Sequence, residues 1–217
     1  MIRRPRLLAG EDLPPPPRQR RSLEKRARLK AAGLALFGEK GYERTSIEDI
    51  AQRANLAVGG FYQHYRSKRQ LLLALMDDLL DAMSQLSLDT GPAADAHHIL
   101  RQLLARSFAR DLHYLGVCRA WEEAVLSDAD LARKQQKIRA WTTRRIAALF
   151  TALQQLPAAR PDVDIAGLAQ VMDEFFWSLL AQAVRMPRIE VGRWIDSATH
   201  LIYHALFLDP RGGGRPR

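Results

Sequence analysis

Apolar side chains spaced by three and four residues run through most of this chain, and they predict helices almost everywhere. From about Ser22 to Lys40 the repeat falls on Leu29, Ala32, Leu36 and Phe37. Ser22 offers an N-cap with Glu24 in the first turn, and Gly41 offers the stop. A short helix is expected from Ser46 to Ala54, opened by a capping box between Thr45 and Glu48. Asn55-Leu56 supplies a tight turn, because Asn tolerates left-handed backbone. A second short helix follows from about Val58 to His64. Ser67-Lys68-Arg69-Gln70 is a further capping box, opening a long helix to about Leu86.

Thr90-Gly91-Pro92 then breaks the pattern. Beyond it the spacing predicts helices at about 95–114, 117–126, 128–156, 165–185 and 193–208. The third of these places Ile138, Trp141, Ile146, Leu149, Phe150 and Leu153 on one face and is bounded by Pro157 and Pro161. The last repeats on Ile195, Ala198, Leu201, Ile202 and Ala205. No useful length of β alternation occurs, so the fold class is all-α.

Composition sharpens the picture. The chain has 217 residues and is 47% hydrophobic, enough for one domain or for a small and a larger one. No apolar run reaches the length of a membrane span; the richest stretch, Phe175 to Val184, is interrupted by Ser178 and Gln182. The basic N-terminus lacks the apolar core of a signal peptide, and the single cysteine, Cys118, can form neither an internal disulfide nor a zinc site by itself. These features predict a cytoplasmic protein. Residues 1–70 carry 16 Lys+Arg against 7 Asp+Glu, whereas residues 71–217 carry 17 of each sign. A surplus confined to one end is the footprint of a polyanion-binding module joined to a neutral body, though a solvated basic tail also fits it. Residues 1–21, with the proline run Pro14 to Pro17, read as a disordered basic arm.

Two short helices joined by a tight turn behind a supporting helix make a helix-turn-helix. The segment Phe37-Gly38-Glu39-Lys40-Gly41-Tyr42-Glu43-Arg44-Thr45-Ser46-Ile47-Glu48-Asp49-Ile50-Ala51, followed by Gly60-Phe61-Tyr62-Gln63-His64-Tyr65-Arg66-Ser67-Lys68, resembles the DNA-binding domain of TetR-family regulators over about Leu29 to Leu75. Ile47, Ile50, Ala51 and Ala54 form the buried stripe of the first short helix. Gly59 and Gly60 each cost about 1 kcal/mol in a helix relative to Ala, which points to close approach of backbone to a groove edge. The resemblance implies phosphate contacts at Tyr62 and Lys68 and a groove-facing surface from Val58 through His64. The expected DNA-binding set is Thr45, Ser46, Val58, Gly59, Gly60, Tyr62, Gln63, His64 and Lys68. Lys68 and Arg69 sit beside a helix N-terminus, where cations are disfavoured unless an anion joins them. Ala57 departs from the family, which usually has Ser there, leaving the second helix weakly capped. Arg66 can also reach bases or phosphates, and Arg18, Arg20 and Arg21 can enter a flanking minor groove.

The resemblance implies a disordered arm at 1–21, a helix-turn-helix domain at 22–68, a larger helical effector-binding and dimerisation domain at 69–208, and a flexible tail at 209–217. It implies a ligand-responsive repressor of a palindromic operator, acting as a homodimer through the last two helices, whose residues Leu168, Val171, Met172, Phe175, Phe176, Leu179 and Leu180 suit burial on two sides. Candidate effector-binding residues are Tyr114, Trp121, Trp141, Phe175 and Trp177, and the lack of an obvious charged anchor points to an apolar or aromatic small molecule. Catalysis finds little support. His97-His98 are adjacent rather than four apart, Asp173-Glu174 and Glu122-Glu123 read as solvated or Arg-paired, and Cys118 has Arg119 but no demonstrable activating partner. The chain is expected to be no enzyme and to need no cofactor or metal.

Overall fold

The computed structural model describes residues 2–85, 95–183 and 188–208. The predicted break at Thr90-Gly91-Pro92 and the predicted tail at 209–217 lie outside these residues. Within them the helices are α1 (Arg20–Lys40), α2 (Ile47–Arg53), α3 (Val58–Tyr62), α4 (Lys68–Ser84), α5 (Ala96–Asp111), a 3₁₀ turn (Leu112–Tyr114), α6 (Leu115–Val125), α7 (Ala129–Leu153), α8 (Ile165–Ala183) and α9 (Arg188–Leu206). Among the described residues β structure amounts to one isolated bridge between Ala159 and Phe207, so the all-α expectation holds. The chain forms two compact units, one from Arg4–Gln85 and Asp111–Ile138, the other from Met1–Arg3, Leu86–Arg110 and Arg139–Arg217.

In the first unit, α1 buries Leu29, Ala32, Leu36 and Phe37, the stripe its spacing predicts. It begins two residues earlier than Ser22, after Gln19, with no side-chain cap. α4 buries every residue from Gln70 to Met76, as a helix covered all round must. α6 lies against α1 at a glycine pair: a Cβ on Gly116 would stand 2.8 Å from the Gly38 nitrogen and 3.0 Å from its Cα, and would collide with the Leu34 carbonyl. The two backbones therefore touch. Further along α6, Arg119 donates to the Gly38 carbonyl at 3.0 Å. Glu123 accepts from the Tyr42 amide at 2.6 Å and from the Glu43 amide at 3.4 Å. Gly41 ends α1 with φ 80°, and its missing side chain leaves room for the Glu123 carboxylate.

The N-terminal segment is not the free arm its composition predicts. Leu7 is only 1% exposed; its amide donates to Asp77 at 3.3 Å, and its carbonyl accepts from Lys134 at 2.9 Å. Arg4 pairs with Asp77 at 2.7 Å, and Glu11 pairs with Arg69 at 2.8 Å. One apolar plug flanked by opposite charges suffices to dock a short segment that the composition of residues 1–21 as a whole hides.

The second unit is built on Ile99, Leu100 and Leu104 of α5, Phe150 and Leu153 of α7, Ala169 and Met172 of α8, and Ala198, Ile202 and Leu206 of α9. The chain after α7 is fastened to the end of α9 by Arg160 donating to Leu206 at 2.8 Å and Leu208 donating to Ala158 at 3.0 Å. Among the described residues of this unit, large apolar side chains stand outside at Val171 of α8, 61% exposed, at Leu201 of α9, 60%, and at Leu208 just after α9, 59%.

Candidate nucleic-acid interface

α2 is capped one residue later than its sequence predicts. Ser46 accepts from the Asp49 amide at 3.0 Å, and Asp49 accepts from the Ser46 amide at 3.3 Å, a reciprocal capping box. Thr45 is not the cap. Its hydroxyl donates back to the Gly41 carbonyl at 2.6 Å, and the side chain is buried. Thr45 therefore fastens the α1–α2 turn, and only Ser46 of this pair stands on the exposed surface. Ile50, Ala51 and Ala54 are buried as expected, with Ile47 half-buried.

The turn between α2 and α3 follows the sequence closely. Asn55 takes φ 53°, and Ala57 stands at the start of α3 with no side-chain cap. Phe61 is fully buried and packs edge-on against Tyr62 at 5.6 Å and tilted against Tyr65 at 5.8 Å, which locks α3 by one side. The opposite edge is open: Val58 is 36% exposed, Tyr62 50%, and Gln63 is exposed. A Cβ on Gly59 would meet nothing within 4 Å, and its φ is not positive. Neither packing nor backbone geometry within the fold requires glycine there. Gly60 has Leu56 at ordinary van der Waals distance. Beside this edge lies an open concavity of about 390 Å³, lined by Glu48, Ala51, Gln52, Asn55, Leu56, Ala57 and Val58.

His64 turns inward. It is buried, and its Nε2 has no hydrogen-bond partner among the described residues. Burial pushes its pKa down, and the positive charges of Arg26 and Lys25 push it further.

Lys68 opens α4, and its ammonium is already engaged. It donates to the Tyr42 carbonyl at 2.7 Å and lies 4.2 Å from the centre of the Tyr42 ring. Burial pulls its pKa down, opposed by Glu43 and Glu123; burial also raises the Tyr42 hydroxyl to about 12. Arg69, expected beside it as a phosphate cradle, points elsewhere: it bonds Glu11 at 2.8 Å and Asp128 at 2.7 Å and is also paired with Asp130. The Ser67 hydroxyl accepts from the Gln70 amide at 3.2 Å, but the Gln70 side chain accepts from the Arg66 amide at 2.8 Å, so this cap is completed one residue early.

The five aromatic candidates for an effector divide between the units. Tyr114 and Trp121 lie in the first, where Tyr114 is half-buried and Trp121 is fully buried with its indole N–H on Gln135. Trp141, Phe175 and Trp177 lie in the second. Trp141 is fully buried, and its indole N–H has no hydrogen-bond partner among the described residues. The Arg145 guanidinium stands 5.2 Å from the Trp141 ring, and that of Arg139 stands 5.6 Å from the Trp177 ring. Arg139 also pairs with the buried Asp173 at 3.3 Å and with exposed Glu174. Burial raises the Asp173 pKa, against Thr142, Arg139 and Thr143, which stabilise the anion. The sequence reading of Asp173-Glu174 as solvated or Arg-paired left open the pairing that the structure shows, but not the burial of Asp173.

Comparison with known proteins fits this geometry. Residues 29–75 match the family model described as bacterial regulatory proteins, tetR family. The HTH-type transcriptional regulator YerO of Bacillus subtilis (strain 168) is 39% identical over 51 residues, which are 24% of this chain and 18% of that protein. The HTH-type transcriptional regulator EthR of Mycolicibacterium smegmatis is 25% identical over 202 residues, covering 88% of this chain and 92% of that protein. A crystal structure of a gamma-butyrolactone receptor, described as ArpA-like, shares the fold at 21% identity and a TM-score of 0.65, over 89% of this chain and 93% of that one.

Proposed function

We propose that the chain is a tetR-family transcriptional regulator that represses transcription as a homodimer on a palindromic operator and leaves the operator when a small molecule binds. Residues 22–68 read the DNA, and residues 69–208 carry the effector site and the dimer surface. The observation that carries this reading is Gly59. The fold has no internal use for a bare Cα at that position, so the space beside it suits an external surface approaching α3. Val58, Gly60, Tyr62 and Gln63 extend the same edge, and Ser46 offers a hydroxyl at the start of α2. Two copies related by a two-fold axis set their α3 helices into successive major grooves about 34 Å apart. Lys68 and Tyr62 meet phosphates.

The effector reading has a different support. The second unit brings two arginines over two indoles, and the indole of Trp141 keeps an unspent N–H. Trp177 and Phe175 add further aromatic groups within that unit. The pair Arg139–Asp173 adds the charged anchor that the sequence did not reveal, so a planar molecule with a polar group fits better than a hydrocarbon. The fold also serves a protein described as a gamma-butyrolactone receptor, which supports a small-molecule effector here. The protein acts by binding rather than by catalysis, in the cytoplasm; no described helix is long and apolar enough to cross a membrane.

Selection of bound fragments from the source genome, followed by footprinting, tests the reading. A protected palindrome that is lost on adding a small molecule is the expected result. Equal affinity for unrelated duplexes would instead make this a non-specific architectural protein.

A further inference from the structure

We propose that Arg66 is a phosphate-binding residue, that in the free protein the carboxylate of Asp12 occupies its guanidinium in place of the phosphate, and that Asp12 thereby sets the affinity for DNA. The inference rests on the DNA-binding reading above and adds to it a residue and a competitor. Arg66 stands two residues after His64 and two before Lys68, in the exposed turn between α3 and α4. Its Nε donates to the Asp12 carbonyl at 2.8 Å, and the Asp12 carboxylate lies 3.1 Å from Nε and 3.2 Å from Nη2. A carboxylate and a phosphate present the same pair of acceptor oxygens to the guanidinium fork.

The N-terminal segment holds this competitor in place by a graded set of contacts. Leu7 is buried, Arg4 is paired with Asp77, and the side chain of Glu11 is 13% exposed between Arg69 and Lys134. Next along the chain, Asp12 has a side chain 81% exposed, facing an Arg66 side chain 56% exposed. The anchors are firm and the last link is loose. An ion pair that open to water shifts an equilibrium by at most about fivefold, yet the anchors keep it always at hand, as a tethered ligand at high effective concentration. DNA can therefore displace Asp12 from Arg66 without undocking the segment. The Asp12 backbone carbonyl also accepts from the Gln70 amide group at 2.9 Å, so its position does not depend on the carboxylate.

Asp12→Asn keeps those backbone contacts and removes the charge. Binding would be measured by fluorescence anisotropy on a genome-selected duplex and on a random-sequence duplex of equal length. Asp12→Asn is expected to tighten both by up to about fivefold. In an Arg66→Ala background the same substitution should change nothing, and Arg66→Ala alone should lower the salt slope by about 0.9. An equal gain with and without Arg66 would mean that Asp12 acts through bulk charge, which overturns the proposal, as would no gain at all. If the unmodified chain binds neither duplex, the DNA reading itself falls. Both side chains are exposed, and matched circular dichroism spectra verify that each variant folds.

Discussion

Lys68 is clamped to Tyr42 by two contacts at once, its ammonium donating to the carbonyl at 2.7 Å while lying 4.2 Å from the ring centre. The first residue of α4 thus reaches back to the turn that precedes α2. The clamp fixes the cation beside the α1–α2 turn.

Lys68→Ala should lower affinity for all duplexes alike and reduce the salt slope by about 0.9, since a phosphate contact carries no sequence information. It should also destabilise the free protein by about 1 kcal/mol through loss of the cation–π contact. Anisotropy titrations at several salt concentrations, with thermal melting alongside, read both effects. An unchanged slope removes Lys68 from the phosphate contacts.

Gly59→Ala should separate stability from binding. The added methyl meets nothing in the fold and improves helix propensity, so the free protein should gain up to about 1 kcal/mol. Affinity for the selected operator should nevertheless fall. A variant that melts higher and binds as well as the parent would mean that no surface approaches α3 closely at this point.

His64 makes stability depend on pH. Its folded pKa lies below the ordinary 6.5, so as pH falls the unfolded chain takes up the proton first. The stability it contributes is full above 6.5 and is lost as pH falls through the folded value. Melting between pH 8 and about pH 5, at constant ionic strength, should show this loss in the parent. The trend should flatten in His64→Gln; a parent profile identical to the variant's refutes the assignment.

The dimer should form through the outer faces of α8 and α9, where Val171 and Leu201 stand exposed. Light scattering at micromolar concentration should report twice the chain mass. Val171→Glu combined with Leu201→Glu should give monomers that keep their helical content but bind a half-site only weakly. A parent that scatters as a monomer contradicts the interface.

Local features were legible in the sequence because local physics decides them. Asn55 takes the left-handed conformation its turn demands, Ala57 leaves α3 uncapped, and the spacing of Leu29, Leu36 and Phe37 marks the buried side of α1. Competing partners were not legible, whether near or far along the chain. Thr45 looked like a cap until the Gly41 carbonyl, four residues back, offered its hydroxyl an acceptor. Arg69 looked like a phosphate ligand, yet three carboxylates, one of them 58 residues away, surround it. The docking of Leu7 depends on Asp77 and Lys134, which no window around residue 7 contains. Asp173 was readable as solvated or Arg-paired, but its burial and the identity of its partner, Arg139, required the fold to bring α7 and α8 together.

At the meeting of Gly38 and Gly116 there are no side chains to rotate, bend or yield. Elsewhere a helix can slide a little while its neighbours change rotamer and absorb the motion. Here bare main chain rests on bare main chain, and Glu123, two turns further along α6, grips the amide of Tyr42. Such a joint leaves little slack: a lengthwise shift of α6 would carry the end of α1 with it.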